Sequence, residues 1–328
     1  MFFTQLPNQM PPPSLLWITD PWSTLDIKKD TTLRLAHETK NLGIPSWWTS
    51  SDLVLSAKKK LLRVIPIEHA PNADFAVDLP PSNFSQIHFR VDPPVDDSYR
   101  KLIADMIDRG AEPERILNPP TLIASQSEKL PPAELLDLAP EHQRLNSSGD
   151  IELAFNKASH WRGFVSKPMN LAQSVGVKRW PQPASLTQFR EIIEREAADL
   201  GYPLLIEEFL PGIADGEVRL WFSRGHLIGA LRKHPLAGDF RVLIDSGSRI
   251  EAHTLSAAEK LVADRIGASL IQQGIALAAI DLIEGKICDY NITSPGLLVQ
   301  LEEAHGLNFA KAVIEQLVTP PSVGMKRL

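Results

Sequence analysis

Cysteine is almost missing from this chain: Cys288 is the only one among 328 residues. That excludes an internal disulfide and fits a reducing compartment. Long hydrophobic runs are missing too, and no apolar stretch approaches the ~20 residues of a membrane span. The start, MFFTQLPNQMPPPS, lacks the basic residues and the long apolar core of a secretory signal. We therefore expect a cytoplasmic protein without a membrane partner. Charge of one sign is scarce as well. A formal net charge of −6 gives no general electrostatic reason to expect nucleic acid, and the one basic run, Lys58-Lys59-Lys60, reads as solvated surface. Internal repeats and low-complexity segments are absent.

Proline is plentiful. Most of it falls in clusters, at Pro11 to Pro13, Pro80-Pro81, Pro93-Pro94, Pro119-Pro120 and Pro131-Pro132. Proline removes a backbone donor, and the residue before it avoids the helix, so these clusters mark loops and element ends. The chain length suggests about two domains with a large buried core. Leu15 to Thr19 reads as a buried strand, and a helix follows with Asp30 or Thr31 as its N-cap. A strand, a polar loop and a helix start together make an anion-ready place. Gln86 to Phe89 reads as a strand and Ser98 to Arg109 as an amphipathic helix ending at Gly110. This rhythm argues for an open α/β domain of roughly 120 residues. Further on, Thr121 to Leu130 and Pro131 to Leu145 read as two helices, and Gly163 to Pro168 as a strand carrying Lys167. Leu186 to Leu200 reads as a helix closed by Gly201. Pro203 to Phe209 and Val218 to Ser223 read as strands, Lys233 to Arg249 as a long mobile loop, and Leu255 to Gln273 as a helix closed by Gly274.

The stretch richest in chemistry is AAIDLIEGKICDYNITSPG, from Ala278 to Gly296. Two apolar runs flank Glu284-Gly285-Lys286, which reads as a hairpin turn. A turn centred on Gly285 sets Asp281 directly opposite Asp289, with Cβ atoms roughly 5 Å apart. Asn291, two residues beyond, points the same way. Carboxylates held that close call for a cation between them. Oxygen ligands of this kind suit Mg²⁺, which takes one or two carboxylates and fills its other positions with phosphate and water. Taken alone, the pattern also fits a hairpin whose polar face is solvated. Cys288 falls on the opposite face and reads as core rather than as a reactive thiol.

Several separated motifs share one resemblance. They are IKKDTT within Asp26 to Thr32, RVDPPVD from Arg90 to Asp96, and the spacing from Asn118 to Lys129. To these add Lys167-Pro168, Asp215-Gly216-Glu217-Val218-Arg219 and Asn291-Ile292-Thr293-Ser294-Pro295. Together they resemble, in order and over nearly the whole chain, the bacterial glutathione synthetase family of ATP-grasp carboxylate–amine ligases. The resemblance implies an ATP-grasp fold of α/β class, with an N-terminal open parallel-sheet domain. It divides the chain into a proline-rich leader (1–14), an N-terminal domain (15–120), a lid subdomain (121–203) and a C-terminal subdomain (204–328). The last would contain a mobile loop (233–249) and the metal hairpin (278–296). It also implies a homo-oligomer acting on an acidic peptide or amino acid, with ATP and with Mg²⁺ or Mn²⁺.

The resemblance further implies roles for single residues. Lys129 and Lys167 would hold the nucleotide phosphates, and Asp281, Asp289 and Asn291 the metal. Ile206 to Leu210, through Glu207, Glu208, Phe209 and Leu210, would meet the adenine, with Glu207 or Glu217 near its amino group or the ribose. Arg219 would face the phosphate or the acyl intermediate. Arg241, with either Arg232 or Lys233, would clamp acidic substrate or phosphate.

The departures are as informative. Where the family has a glycine-rich phosphate cover, Met169 to Gly176 holds one glycine, and glycine is what lets backbone approach phosphate. Val91 replaces a lysine, Leu243 an asparagine, and Asp289 a glutamate that is one methylene longer. Three functions are thus in play: a glutathione-forming ligase, an ATP-grasp peptide ligase with another substrate, and a binding or regulatory protein on a degenerate ligase fold.

Overall fold

Leu15–Thr19 (β1) is buried along its whole length, as a near-continuous apolar run requires of a strand covered on both faces. The computed structural model describes residues 13–58, 60–171 and 174–319. Most of the leader, Lys59 of the basic run, and Ala172 and Gln173 of the glycine-poor loop therefore lie outside the described residues. β1 sits inside a six-stranded sheet with Ser46–Ser50 (β2), Leu62–Pro66 (β3), Val77–Leu79 (β4), Gln86–Phe89 (β5) and Ile116–Leu117 (β6), in the order β4-β3-β2-β1-β5-β6. β2, β1, β5 and β6 are parallel, and β3 and β4 add an antiparallel edge. Thr31–Asn41 (α1) starts where Asp30 Oδ1 accepts the Leu33 N–H at 2.7 Å. Ser51–Ser56 (α2) and Asp97–Asp108 (α3) complete this unit.

Two expected helices are largely absent. Only Pro120–Ser125 (α4) forms in the first stretch. The second is a short 3-10 helix, Ala133–Leu138, followed by a strand, His142–Leu145 (β7). Pro131, Pro132 and Pro140 fall inside that span, and each proline denies an α-helix a donor and clashes with the preceding turn. β7 joins Gly163–Pro168 (β8), Lys178–Pro181 (β9) and Leu204–Glu208 (β10) in an antiparallel sheet of order β7-β10-β8-β9. Ile151–Ala158 (α5) and Leu186–Leu200 (α6) cover it around a core of its own that includes Phe164, Phe189 and Leu204.

The third sheet has the order β13-β12-β11-β14-β15, built from Glu217–Ser223 (β11), His226–His234 (β12), Arg249–Ala252 (β13), Leu277–Ile283 (β14) and Lys286–Asn291 (β15). Strand periodicity divides β11 between two faces. Leu220 and Phe222 pack with Ile266 and Leu270 of Ala257–Gln272 (α7). Trp221, on the other face, joins a core shared with Trp17 of β1, Leu35 of α1, Leu298 of Leu298–His305 (α8) and Ile314 of Phe309–Val318 (α9). The first and third sheets are thus welded by one core, while the second keeps its own. Arg34 strengthens the weld, donating to Glu302 at 2.6 and 3.1 Å, to Glu38 at 2.8 Å and to Asn308 at 2.9 Å. The loop expected over residues 233–249 is shorter at both ends, because Lys233 and His234 close β12 and Arg249 opens β13.

Candidate active site

β14 and β15 pair antiparallel around Glu284 and Gly285, with Asp281 opposite Asp289 and Ala279 opposite Asn291. On the other side of β14, Arg219 of β11 stands opposite Asp281. Arg219 grips Asp281 with both prongs, Nε to Oδ1 at 2.8 Å and a terminal nitrogen to Oδ2 at 2.7 Å. Lys233 Nζ, buried beside them, donates to the same Oδ1 at 3.0 Å and also pairs with Glu217. Burial alone would push the Asp281 carboxyl up, but the Arg219 and Lys233 charges override it and hold the group well below the usual carboxylate range. Burial pushes Glu217 up, which Lys233 only partly offsets. Asp281 stays ionised and locked in place.

Asp289 is more open. Among the described residues it accepts only through Oδ1, from Lys129 Nζ at 3.0 Å. Asn291 turns its amide nitrogen to the Ala279 carbonyl at 2.9 Å, which leaves its oxygen uncommitted. Lys167 Nζ donates to the Cys288 carbonyl at 3.0 Å and pairs with Glu207 at 2.5 Å. Desolvation would lower the Lys167 ammonium, but the Glu207 and Asp289 charges more than reverse it. Burial pushes Glu207 up against Lys167's pull, and its Oε1 is buried without a hydrogen-bond partner.

These groups line two joined spaces. A narrow slot of about 80 Å³ is walled by Lys167, Glu207, Glu208, Phe209, Leu210 and Arg241. A cleft of about 910 Å³ opens beside it, with Arg219, Lys233, Asp281 and Asn291 on its floor and Asp30, Arg90 and Asp92 on its far rim. Lys129, Glu217 and Asp289 line both. Arg179 lies over the Phe209 ring at 3.7 Å from its centroid, and Phe240 meets that ring edge-on.

Two sequence assignments change. Arg232 does not reach the cleft: it donates to the Asp215 carbonyl at 3.1 Å and approaches His253, on the face turned away from Asp281. Lys233, its neighbour on the alternating strand, takes that place. Arg241 is held within its own loop by Asp239, at 2.8 and 3.2 Å, and borders the slot rather than the floor.

Three further residues, Asn118, Glu128 and Arg90, have structural roles that the sequence motifs do not assign. Asn118 stitches the hairpin to the N-terminal sheet, donating to the Leu277 and Ile292 carbonyls at 2.7 Å each and accepting from the Ala276 and Leu277 amides at 2.7 and 3.0 Å. Glu128 Oε1 accepts from the Ile292 and Thr293 amides at 2.8 and 2.7 Å. Only the spacing from Asn118 to Lys129 signalled this segment. Arg90 is buried, bound to Thr32 at 3.2 Å and to the Pro295 carbonyl at 2.8 Å, and one terminal nitrogen has no partner.

A family model for the N-terminal domain of prokaryotic glutathione synthetase matches residues 14–123, and one for its ATP-grasp domain matches residues 128–306. The chain belongs to the prokaryotic glutathione synthetase family. The glutathione synthetase of Parasynechococcus marenigrum (strain WH8102) is 27% identical over 310 residues, covering 92% of this chain and 98% of that protein. In fold the chain is similar to the crystal structure of D-cycloserine synthetase, with a TM-score of 0.65 at 18% identity over 92% of this chain and 99% of that one. It is also similar to the ATP-grasp ligase PsnB solved with minimal precursor, Mg and ADP, with a TM-score of 0.57 at 15% identity over 92% and 97%. No helix among the described residues is long and apolar enough to cross a membrane.

Proposed function

We propose that the protein is an ATP- and Mg²⁺-dependent carboxylate–amine ligase, with γ-glutamylcysteine and glycine as the first substrate pair to test. The observation that carries this reading is the meeting of Lys129, Lys167, Arg219, Lys233, Asp281 and Asp289 where the slot opens into the cleft. In the slot, the unpartnered Glu207 Oε1 is a buried acceptor suited to an adenine amino group. Lys129 and Lys167 supply positive charge for the phosphates. A substrate carboxylate on the floor attacks the terminal phosphorus, and ADP leaves, giving an acyl phosphate. The amine then attacks the acyl carbon and phosphate departs. Arg219 and Lys233 sit where negative charge develops, and positioning with charge neutralisation is the main catalytic device for such transfers.

The donors at the hairpin suit Mg²⁺. No group of three His, Cys, Asp or Glu side chains among the described residues is arranged to hold a metal. The set is instead the free edge of Asp289, the oxygen of Asn291 and the engaged Asp281. One or two carboxylates with an amide oxygen match what Mg²⁺ accepts when phosphate and water fill its other positions. When bound there, the ion would neutralise phosphate charge.

A second reading, ligation of a different peptide or amino acid, draws on Leu243, which lines the cleft where the family carries an asparagine; Val91 gives no support, because it is packed in the core of the N-terminal unit and lines neither space. Purified protein with ATP, Mg²⁺, γ-glutamylcysteine and glycine should release phosphate well above background. Silence with that pair, but release with another, would move the assignment to the second reading.

A further inference from the structure

The loop between β12 and β13 spans both spaces: Val242 lines the slot and the cleft, and Leu243, Ile244, Asp245 and Ser246 line the cleft. Whatever lies beneath it is therefore close to the transferring phosphate. Several of the loop's backbone donors are used within the loop. The Phe240 and Arg241 amides go to Asp239 Oδ1 at 2.7 and 2.9 Å, and the Leu243 amide goes to Ser248 Oγ at 2.9 Å. The Ser246, Gly247 and Ser248 amides go to the Leu243 and Ile244 carbonyls at 3.0 to 3.2 Å. These bonds fix the turn and hold the side chains of residues 242–246 against the cleft. Asp245 and Ser246 are exposed, while Val242, Leu243 and Ile244 are half-buried and form an apolar patch, with Leu25 and Pro21 lining the cleft from the N-terminal unit. Nothing in that set rewards the bare backbone of a glycine.

We infer that the substrate residue flanking the new bond, beneath residues 242–244, carries an apolar side chain of about leucine size. This rests on the ligase reading and narrows it. Burying such a side chain in an apolar pocket discriminates by roughly 10- to 200-fold per methylene-sized step, so a preference of about tenfold or more over glutathione is expected.

The test is calorimetric titration of the full chain with three peptides, with and without a non-hydrolysable ATP analogue and Mg²⁺. Glutathione has cysteine and glycine at the new bond; γ-glutamyl-leucyl-glycine and γ-glutamyl-cysteinyl-leucine each place leucine on one side of it. At least one leucine peptide should bind about tenfold more tightly than glutathione, and Leu243→Asn with Ile244→Ser should erase that advantage without weakening nucleotide binding. Three results overturn the inference: glutathione binding as tightly as both leucine peptides, a leucine advantage that survives the double substitution, or no peptide binding at all. Loss of nucleotide binding with the leucine preference intact would strike the ligase reading alone.

Discussion

The floor of the cleft and the loop above it are made of opposite materials. The floor is a lattice of buried charges on strands, in which Arg219, Lys233, Glu217 and Asp281 each hold the others in place. The loop is a self-bonded turn that shows the cleft mostly apolar side chains. Charges on strands of a packed sheet have one geometry, because removing a member strips a buried partner of some or all of its opposite charge. A loop that satisfies its own backbone can exchange side chains at low structural cost. On the proposed function, the reaction belongs to the floor and the choice of substrate to the loop.

The largest effect should come from breaking the floor. Arg219→Ala leaves the buried Asp281 with Lys233 as its remaining cation. A loss of about 3–5 kcal/mol is expected in urea unfolding, as for a broken buried pair, and ADP release should disappear. If stability falls by less than 1 kcal/mol, the floor is not a mutually dependent lattice.

A comparable loss should follow acidification, through the core that supports the floor. Burial, with help from the Arg90 and Arg224 charges, pushes His88 down to about 3, and the ring stacks on Trp17 at 4.2 Å. Unfolded, an imidazole binds its proton near pH 6.5, so between those values the unfolded state holds more protons and stability falls as pH falls. The slope should approach roughly 1.4 kcal/mol per pH unit. His88→Gln, measured by thermal melts from pH 7 to pH 4, should flatten it. An unchanged slope would place the acid sensitivity elsewhere.

Asp289 is the part of the floor that faces outward, with its side chain 30% exposed and Lys129 as its partner. Asp289→Asn takes the carboxylate from the buried Lys129, so a loss of about 1–3 kcal/mol is expected in urea unfolding. The Mg²⁺ requirement for nucleotide binding should rise by roughly tenfold or more. The smallest stability effect belongs to the loop: Leu243→Asn should move the unfolding free energy by about 0.5 kcal/mol or less. A large loss there would mean that the loop is structural rather than selective.

The sequence made the floor legible because strands alternate with a period of two. A turn centred on Gly285 puts Asp281 opposite Asp289, and the structure has that pairing, although by another route: Ile283 faces Lys286 across Glu284 and Gly285, and a bulge between Asp281 and Leu282 brings Asp281 opposite Asp289. Strand alternation also separates Lys233 from Arg232, but the strand that carries them was not recognised, so the choice between them stayed open. The helix expected over Pro131 to Leu145 does not form because Pro140 interrupts it and His142–Leu145 pairs as a strand instead. Asn118 and Glu128 were invisible as clamps, since each acts across more than 150 residues of chain. The loop's apolar face was half visible in Leu243. Its closure was not, because it depends on hydrogen bonds made by Asp239 and Ser248 side chains rather than on any repeating pattern.

The central claim is that this floor holds ATP with Mg²⁺, and thermal unfolding of the purified chain with and without the pair tests it most directly. At a hundredfold excess over the dissociation constant, binding to the folded state should add about 2.7 kcal/mol. The melting temperature should rise with ATP concentration, and the rise should shrink sharply in the Asp289→Asn variant. A melting temperature indifferent to millimolar ATP and Mg²⁺ would contradict the account.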